Sequence, residues 1–370
     1  MRDSALLISA GKIAAYGPRM ALQAPEGAAR IDAFGQYLVP GFIDLQLNGA
    51  FGWDFTESPA GIWPAAEKLP EFGVTAFLPT IISSPPERTA AAQEVLANSP
   101  SNFMGARPLG LHLEGPFLNV LKKGAHSAQH LREPDLTRAS AWQIDQHVRM
   151  VTLAPELPGA LELISVLTQR GLVAAAGHSM ASSQIAEAGL KAGLRYGTHL
   201  FNAMAPLNHR EPGISAALLA HPEAVVGLIA DGIHLDPLVV DLVWRLVGSR
   251  RISLVSDAVA ALGMPSGPFP LGEETVHAAD GAVRLADGTL AGSTLSLDQA
   301  LRNLMGYCGC RLNQALPSLT TTPARLLGLD HQIGMIEPGR SADLVLLDGQ
   351  HQVMKTFVEG EPVYERETAV

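Results

Sequence analysis

Apolar, β-branched-rich runs return along most of the chain, and nearly every one begins apolar and ends polar. The eight runs are LVPGFIDLQL near residue 38, VTAFLPTII near 74, PLGLHLEG near 108, MVTLAPE near 150, LVAAAGHS near 172, YGTHLFNAM near 196, VVGLIADGIH near 225 and ISLVSDAV near 252. Segments with helical spacing separate many of them, such as PGALELISVLTQRG, SSQIAEAGLKAG and PLVVDLVWRLVG. Strands alternating with helices imply right-handed crossovers and a parallel sheet. Eight such units favour a closed (β/α)8, TIM-like barrel over an open sheet. The polar ends are Gln46 and Asn48, Thr80, His112 and Glu114, Glu156, His178, His199, Asp231 and His234, and Asp257. In a barrel of this kind the C-terminal strand ends converge on one mouth, where active sites form.

The two ends of the chain follow another pattern. Residues 1–38 and 335–370 hold short β-like pieces, ALLISAGKIAAYG, SADLVLLDGQ and QVMKTFVEGEPVY, punctuated by turn residues. They are expected to form one small β-sandwich domain beside a barrel spanning 39–334. Residues 262–295, rich in Pro, Gly and Asp-Gly turns, read as a long insertion after the eighth strand, and loops of that length are often functional.

Composition narrows the class of function. At 370 residues and 47% hydrophobic content the chain can bury a large core, and its net charge of −10 comes from scattered acidic and basic residues. That argues against nucleic-acid binding, which calls for a basic stripe. It leaves room for an anionic small molecule, because a few local donors override the global sign. Cys308 and Cys310 form a lone C-x-C without a partner pair, so neither a disulfide framework nor a thiolate metal site is supported. The N-terminal apolar run is too short for a signal peptide, and no stretch approaches the ~20 apolar residues of a membrane span. A cytoplasmic protein is expected.

Within LGLHLEGPF, residues 109–117, His112 and Glu114 stand two apart on a strand and so share one face. A buried carboxylate without a partner is costly, so something must stand opposite it. Glu114, His178, His199 and Asp257 carry metal-ligand or general-base chemistry. Two imidazoles and a carboxylate are a common ligand set for a catalytic divalent ion that keeps a position open for water. A nearby free carboxylate could then take that water's proton. Each histidine alone would read as a hydrogen-bonded core residue; gathered at one mouth, the set points to chemistry.

The motifs F-I-D (42–44), H-L-E-G-P (112–116), A-G-H-S (176–179), T-H-L-F-N-A-M (198–204) and S-D-A (256–258) resemble the amidohydrolase superfamily. More narrowly, with K-G-A-H (123–126), D-G-I-H (231–234), L-A-G-S (290–293) and I-E-P-G-R-S-A-D-L-V (336–345), they resemble the N-acetylglucosamine-6-phosphate deacetylases over nearly the whole chain. The resemblance implies that Glu114, His178 and His199 bind the metal and that Asp257 is the catalytic acid and base. It implies substrate contacts from Ala125, His126, Asn202, Ala203, Asp231, His234, Leu290, Ala291 and Gly292. Arg210 matches an arginine that reaches the sugar phosphate across a dimer interface, and a guanidinium suits a phosphate's bidentate geometry.

Many amidohydrolases end their first strand with H-x-H, which holds a second ion. Here the matching positions are Gln46 and Asn48, and the fourth strand ends in Ala154-Pro155-Glu156 with no lysine to carry a bridging carbamate. Neutral amides are poor transition-metal ligands beside imidazole. Both departures imply one divalent ion per subunit, zinc first, with iron, cobalt and manganese also compatible. The implied reaction hydrolyses the acetamide of N-acetyl-D-glucosamine 6-phosphate, in amino-sugar catabolism and recycling, by a homodimer or homotetramer. The competing readings are a deacetylase of a related sugar such as N-acetylgalactosamine 6-phosphate, and a catalytically silent barrel serving as a binding or assembly module.

Overall fold

A computed structural model of the chain describes residues 3–33 and 35–367. Eight parallel strands carry the fold: β1 (Phe42–Leu47), β2 (Val74–Ile82), β3 (Leu111–Glu114), β4 (Val148–Leu153), β5 (Val173–Ala176), β6 (Tyr196–Gly197), β7 (Val225–Leu228) and β8 (Ile252–Leu254). Each pairs with its sequence neighbour, in the order β8 to β1. A parallel bridge between Leu47 and Ala258 joins the two ends, so the sheet closes into the expected barrel. Two backbone hydrogen bonds reinforce the seam, Asp257 N–H to the Gln46 carbonyl (2.9 Å) and Asn48 N–H to the Ala258 carbonyl (2.8 Å).

The strands are buried almost throughout, as parallel strands covered on both faces must be. The intervening helices each turn one apolar face inward. Ala160–Gln169 buries Ala160, Leu163, Ile164 and Leu167, spaced as one helical stripe. Pro237–Val247 starts at an Asp236 cap whose side chain accepts from the Leu238 N–H, with proline in the first turn, where its missing N–H costs nothing. The connection from β3 to β4 departs from the pattern. It contains no α-helix, only short 3₁₀ turns such as Val120–Lys122 and Arg138–Ala141, because its Gly and Pro residues interrupt any helical face.

The first apolar run is divided at Gly41. Tyr37–Pro40 leaves the barrel to form an antiparallel sheet with Leu344–Leu347, Val353–Val358 and Glu361–Glu365. Alternation gives that sheet two faces. Leu344, Leu346 and Phe357 pack with Ile13 of the Ser4–Ser9/Lys12–Pro18 hairpin, while Val345, Leu347 and Val353 join the barrel core. The two layers form the sandwich built from both termini.

The 262–295 insertion is ordered, against its reading as a loop. It folds into four antiparallel strands, Gly267–Leu271, Glu274–Ala279, Ala282–Arg284 and Leu290–Ser293. The turns that suggested a loop are hairpin turns: Asp280-Gly281 sits between strands whose burial alternates. Val276, Val283 and Ala291 close a small core of their own with Ile82 and Val259.

Inside the barrel the ring of Tyr196 is fully buried, and its hydroxyl has no hydrogen-bond partner among the described residues. A side chain at Gly227 would run into that hydroxyl and lie within 3.2 Å of the His199 backbone nitrogen. Gly227→Ala is therefore expected to destabilise the protein by about 1–3 kcal/mol through overpacking. Adding Tyr196→Phe, which removes the unpartnered oxygen, should recover part of that loss. Urea denaturation of the single and double variants checks both expectations.

Candidate active site

Four strand ends deliver the central cluster. Glu114 ends β3, His178 and His199 lie two residues past β5 and β6, and Asp257 lies three past β8. Glu114 Oε1 is 3.1 Å from His178 Nε2 and 2.9 Å from His199 Nε2, and the two ring nitrogens are 3.1 Å apart. All three side chains are buried. The Lys122 carbonyl lies 2.7 Å from His178 Nδ1 and can only accept. In a neutral ring that contact keeps the proton on Nδ1 and leaves the Nε2 lone pair free for a cation, whereas in the protonated ring Nε2–H donates to Glu114. A buried carboxylate with no lysine or arginine beside it, faced by two imidazole nitrogens, is a donor set that fits a divalent ion.

Electrostatics agree. Burial alone would raise the Glu114 carboxyl, but hydrogen bonds from His178 and His199 hold it well below the usual carboxylate range. Burial disfavours the charged His199 ring, yet the hydrogen bond and charge of Glu114 outweigh it and lift His199 to about 9.

Asp257 stands beside this triad. Its Oδ1 accepts from Gln46 Nε2 (3.0 Å) and Asn48 Nδ2 (2.7 Å). The same Gln46 amide also reaches both Glu114 oxygens at 3.3 Å. The two amides of the first strand thus serve as donors that hold the carboxylates in place. Burial, then the negative charge of Glu114, pushes Asp257 up to about 6.

Three of the four residues depart from ordinary backbone geometry, with φ of +49° at His178, +30° at His199 and +48° at Asp257. Left-handed conformations at non-glycine residues cost on the order of 1 kcal/mol or more each and persist where the surroundings dictate them. Here the surroundings do. The Asn119 N–H holds the His178 carbonyl, the Asn202 N–H and side-chain amide hold that of His199, and the Ser293 N–H holds that of Asp257. Two glycines are required by the same crowding. Gly124 (φ +55°) would place a Cβ 3.3 Å from the His178 ring, and at Gly292 (φ +69°) it would meet Val259 and the Asp257 carbonyl.

The remaining candidates fall at graded distances. His126 is buried with its ring centroid 4.6 Å from that of His178, and its Nδ1 meets Ser83 Oγ at 2.9 Å. Burial, then the neighbouring His178 charge, lowers it to about 3, so it is neutral. Ala125 precedes it, half-buried against the small core of the insertion. Asp231 closes a tight turn on the Ile233 and His234 N–H groups and meets His234 Nδ1 at 2.7 Å, and the charge of His234 is felt at Asp257. Asn202 and Ala203 form the half-buried turn after His199, and Leu290, Ala291 and Gly292 form the strand beside Asp257. Arg210 is not gathered with them. It lies on an exposed loop, without an ion pair among the described residues.

His112 answers for its place on the Glu114 face by bracing the barrel. Its Nδ1 lies 3.0 Å from the Leu45 carbonyl and its Nε2 2.7 Å from Thr152 Oγ1, which in turn meets Thr198 Oγ1 at 2.7 Å. Burial lowers it to about 4, so a neutral ring ties β1, β3 and β4 to the residue before His199. Thr152 and Thr198 escape a reading of the sequence, because nothing local marks a threonine as a cross-barrel partner.

A closed parallel barrel with a buried carboxylate–imidazole cluster at its mouth is the frame of a metal-dependent hydrolase. Residues 37–364 match the model of the amidohydrolase family. The Homo sapiens N-acetylglucosamine-6-phosphate deacetylase is 39% identical over 356 residues, 92% of this chain and 86% of the relative. The structure of the Pasteurella multocida N-acetylglucosamine-6-phosphate deacetylase superposes with a TM-score of 0.91 at 32% identity, over 98% of this chain and 95% of that one. A variant of the Mycobacterium smegmatis N-acetyl-D-glucosamine-6-phosphate deacetylase, solved with N-acetyl-D-glucosamine-6-phosphate, gives 0.89 at 33% identity, over 97% and 94%. The chain belongs to the amidohydrolase family and, within it, to the N-acetylglucosamine-6-phosphate deacetylases.

Asp257 accepts a proton only as a carboxylate, so turnover that depends on it is expected to fall toward acid pH, with a midpoint below the value of about 6 set by burial because a bound ion adds positive charge. Asp257→Asn should retain metal and substrate while lowering kcat by about 10²–10⁴-fold. Steady-state kinetics across pH 4–9, with metal analysis of the variant, check this; near-normal turnover would remove Asp257 from the chemistry.

Proposed function

We propose that this chain hydrolyses the acetamide of N-acetyl-D-glucosamine 6-phosphate, giving D-glucosamine 6-phosphate and acetate, as a step in amino-sugar catabolism and recycling. The observation that carries this reading is the meeting of Glu114 with His178 and His199 beside Asp257, in a chain that belongs to the deacetylases of this substrate. Glu114, His178 and His199 would hold one divalent ion, zinc first among the candidates. When bound, the ion supplies a Lewis-acid centre that acidifies water and polarises an amide carbonyl. Gln46 and Asn48 direct their amide N–H groups at the carboxylates and, as neutral amides, are poor transition-metal ligands beside imidazole, which favours a single ion.

Asp257 takes the proton of the attacking water and returns it to the departing amine, which would otherwise leave as an unstable amide anion. A carboxyl raised by burial above its ordinary range is a better proton acceptor than a solvated one and can still return the proton. Asp231 accepts from His234 Nδ1–H and fixes that ring, which in its protonated form directs an Nε2–H, together with His126, at the negative charge developing on the carbonyl oxygen. Ala125, Asn202, Ala203 and the Leu290–Gly292 strand shape the place of the sugar. Arg210, exposed and free of a carboxylate partner, is assigned to the phosphate of a substrate bound in a second copy of the chain, as part of a homodimer or homotetramer. Its two cysteines are both free, which suits the reducing cytoplasm.

The deciding measurement is acetate release from N-acetylglucosamine 6-phosphate, with N-acetylgalactosamine 6-phosphate alongside. The expected result is release from the first that ceases after exhaustive chelation and returns when zinc is added. Release indifferent to chelation would overturn the metal-dependent reading. Arg210→Ala is expected to raise KM for the phosphorylated sugar by about ten- to a hundredfold and to leave that for plain N-acetylglucosamine nearly unchanged. Equal changes in both would detach Arg210 from the phosphate.

A further inference from the structure

Glu156, three residues past β4, touches none of the four central side chains, yet its carboxylate is fully engaged. Oε1 accepts from Asn119 Nδ2 (2.9 Å) and from the Met180 N–H (2.6 Å), and Oε2 accepts from Ser179 Oγ (2.7 Å). Both sets of partners lead to His178. Ser179 and Met180 follow it directly in the chain. Asn119 donates its backbone N–H to the His178 carbonyl (3.0 Å), and its own carbonyl accepts from the Lys122 N–H (2.8 Å). That turn presents the Lys122 carbonyl to His178 Nδ1. One carboxylate therefore fastens the segment that carries the imidazole to the loop that fixes its tautomer.

We infer that Glu156 is a positioning residue for the metal centre: it holds His178 in its left-handed backbone conformation and keeps Nε2 aimed at Glu114 and His199. The inference rests on the reading of His178 as a ligand. His178, at φ +49°, cannot keep that geometry by local preference. Charge-assisted acceptors are the strong kind of hydrogen bond, and three on one carboxylate leave little slack. Groups that orient a ligating histidine typically govern metal affinity ten- to a hundredfold. Glu156 would act through two covalent neighbours and one loop rather than through the ring nitrogen itself.

The test is zinc affinity of the purified full-length protein, measured by chelator competition in Glu156→Ala, Glu156→Gln and His178→Ala, with thermal melting of each metal-free protein. Glu156→Ala should weaken zinc binding by about ten- to a hundredfold. Glu156→Gln keeps an acceptor for Asn119 and Met180 and can donate to Ser179 Oγ, so it should restore most of the affinity. Where Glu156→Ala fails to fold, Asn119→Ala removes one arm of the clamp and should weaken zinc several-fold. If His178→Ala loses zinc but Glu156→Ala binds it like the parent, the positioning role is wrong and the ligand assignment stands. If His178→Ala keeps zinc, the ligand assignment itself falls.

Discussion

The mouth of this barrel is organised around one buried negative charge. Glu114 ends a buried strand, it lies out of solvent, and among the described residues no lysine or arginine pairs with it. Removing such a charge from water is costly unless positive charge or donors replace the lost hydration. Two imidazoles and the Gln46 amide take that place, and against the burial that disfavours its charge the hydrogen bond and charge of Glu114 lift His199 to about 9. From that demand follow the gathering of His178 and His199, the amides on β1 and the raised Asp257 carboxyl.

Meeting it carries a conformational cost that is spread through the fold. His178 past β5, His199 past β6 and Asp257 past β8 all adopt backbone angles that ordinary residues avoid. Each is held by contacts from a different part of the chain: the β3–β4 loop for His178, the Asn202 turn for His199, the insertion strand for Asp257. This assigns the insertion a structural role. By seating Ser293 against Asp257, and Gly292 where no side chain fits, it anchors the strand end that carries the acid. Beneath them the His112–Thr152–Thr198 chain braces the strands with neutral groups only, so it adds no charge that would compete with Glu114.

Much of this was legible in the sequence because burial and chemistry left marks at fixed positions. Eight apolar runs with polar ends gave the barrel and placed Glu114, His178, His199 and Asp257 at one mouth. Three features escaped for physical reasons. The insertion reads from its turn residues as a loop, although Asp280-Gly281 between alternating strands is a hairpin signal, because Pro268 and Pro270 stand in its first strand, where proline is unexpected. The break at Gly41 was hidden in a continuous apolar run, since only tertiary pairing separates Tyr37–Pro40 from β1. Thr152, Thr198 and Glu156 act through partners tens of residues away, and no local pattern announces such a contact.

The two amides of β1 illustrate how a neutral substitution tunes a charged site. Imidazoles at Gln46 and Asn48 would offer lone pairs to a second cation, whereas amide N–H groups donate to the carboxylates already present. Burial, then the charge of Glu114, raises Asp257 to about 6, and the bond from Asn48 is among the contacts that oppose the rise. A cation in place of the amides would instead draw the acid down and weaken it as a base. Under the proposed mechanism, with one ion and one carboxylate that both accepts and returns a proton, two uncharged donors can hold that carboxylate without competing for the ion.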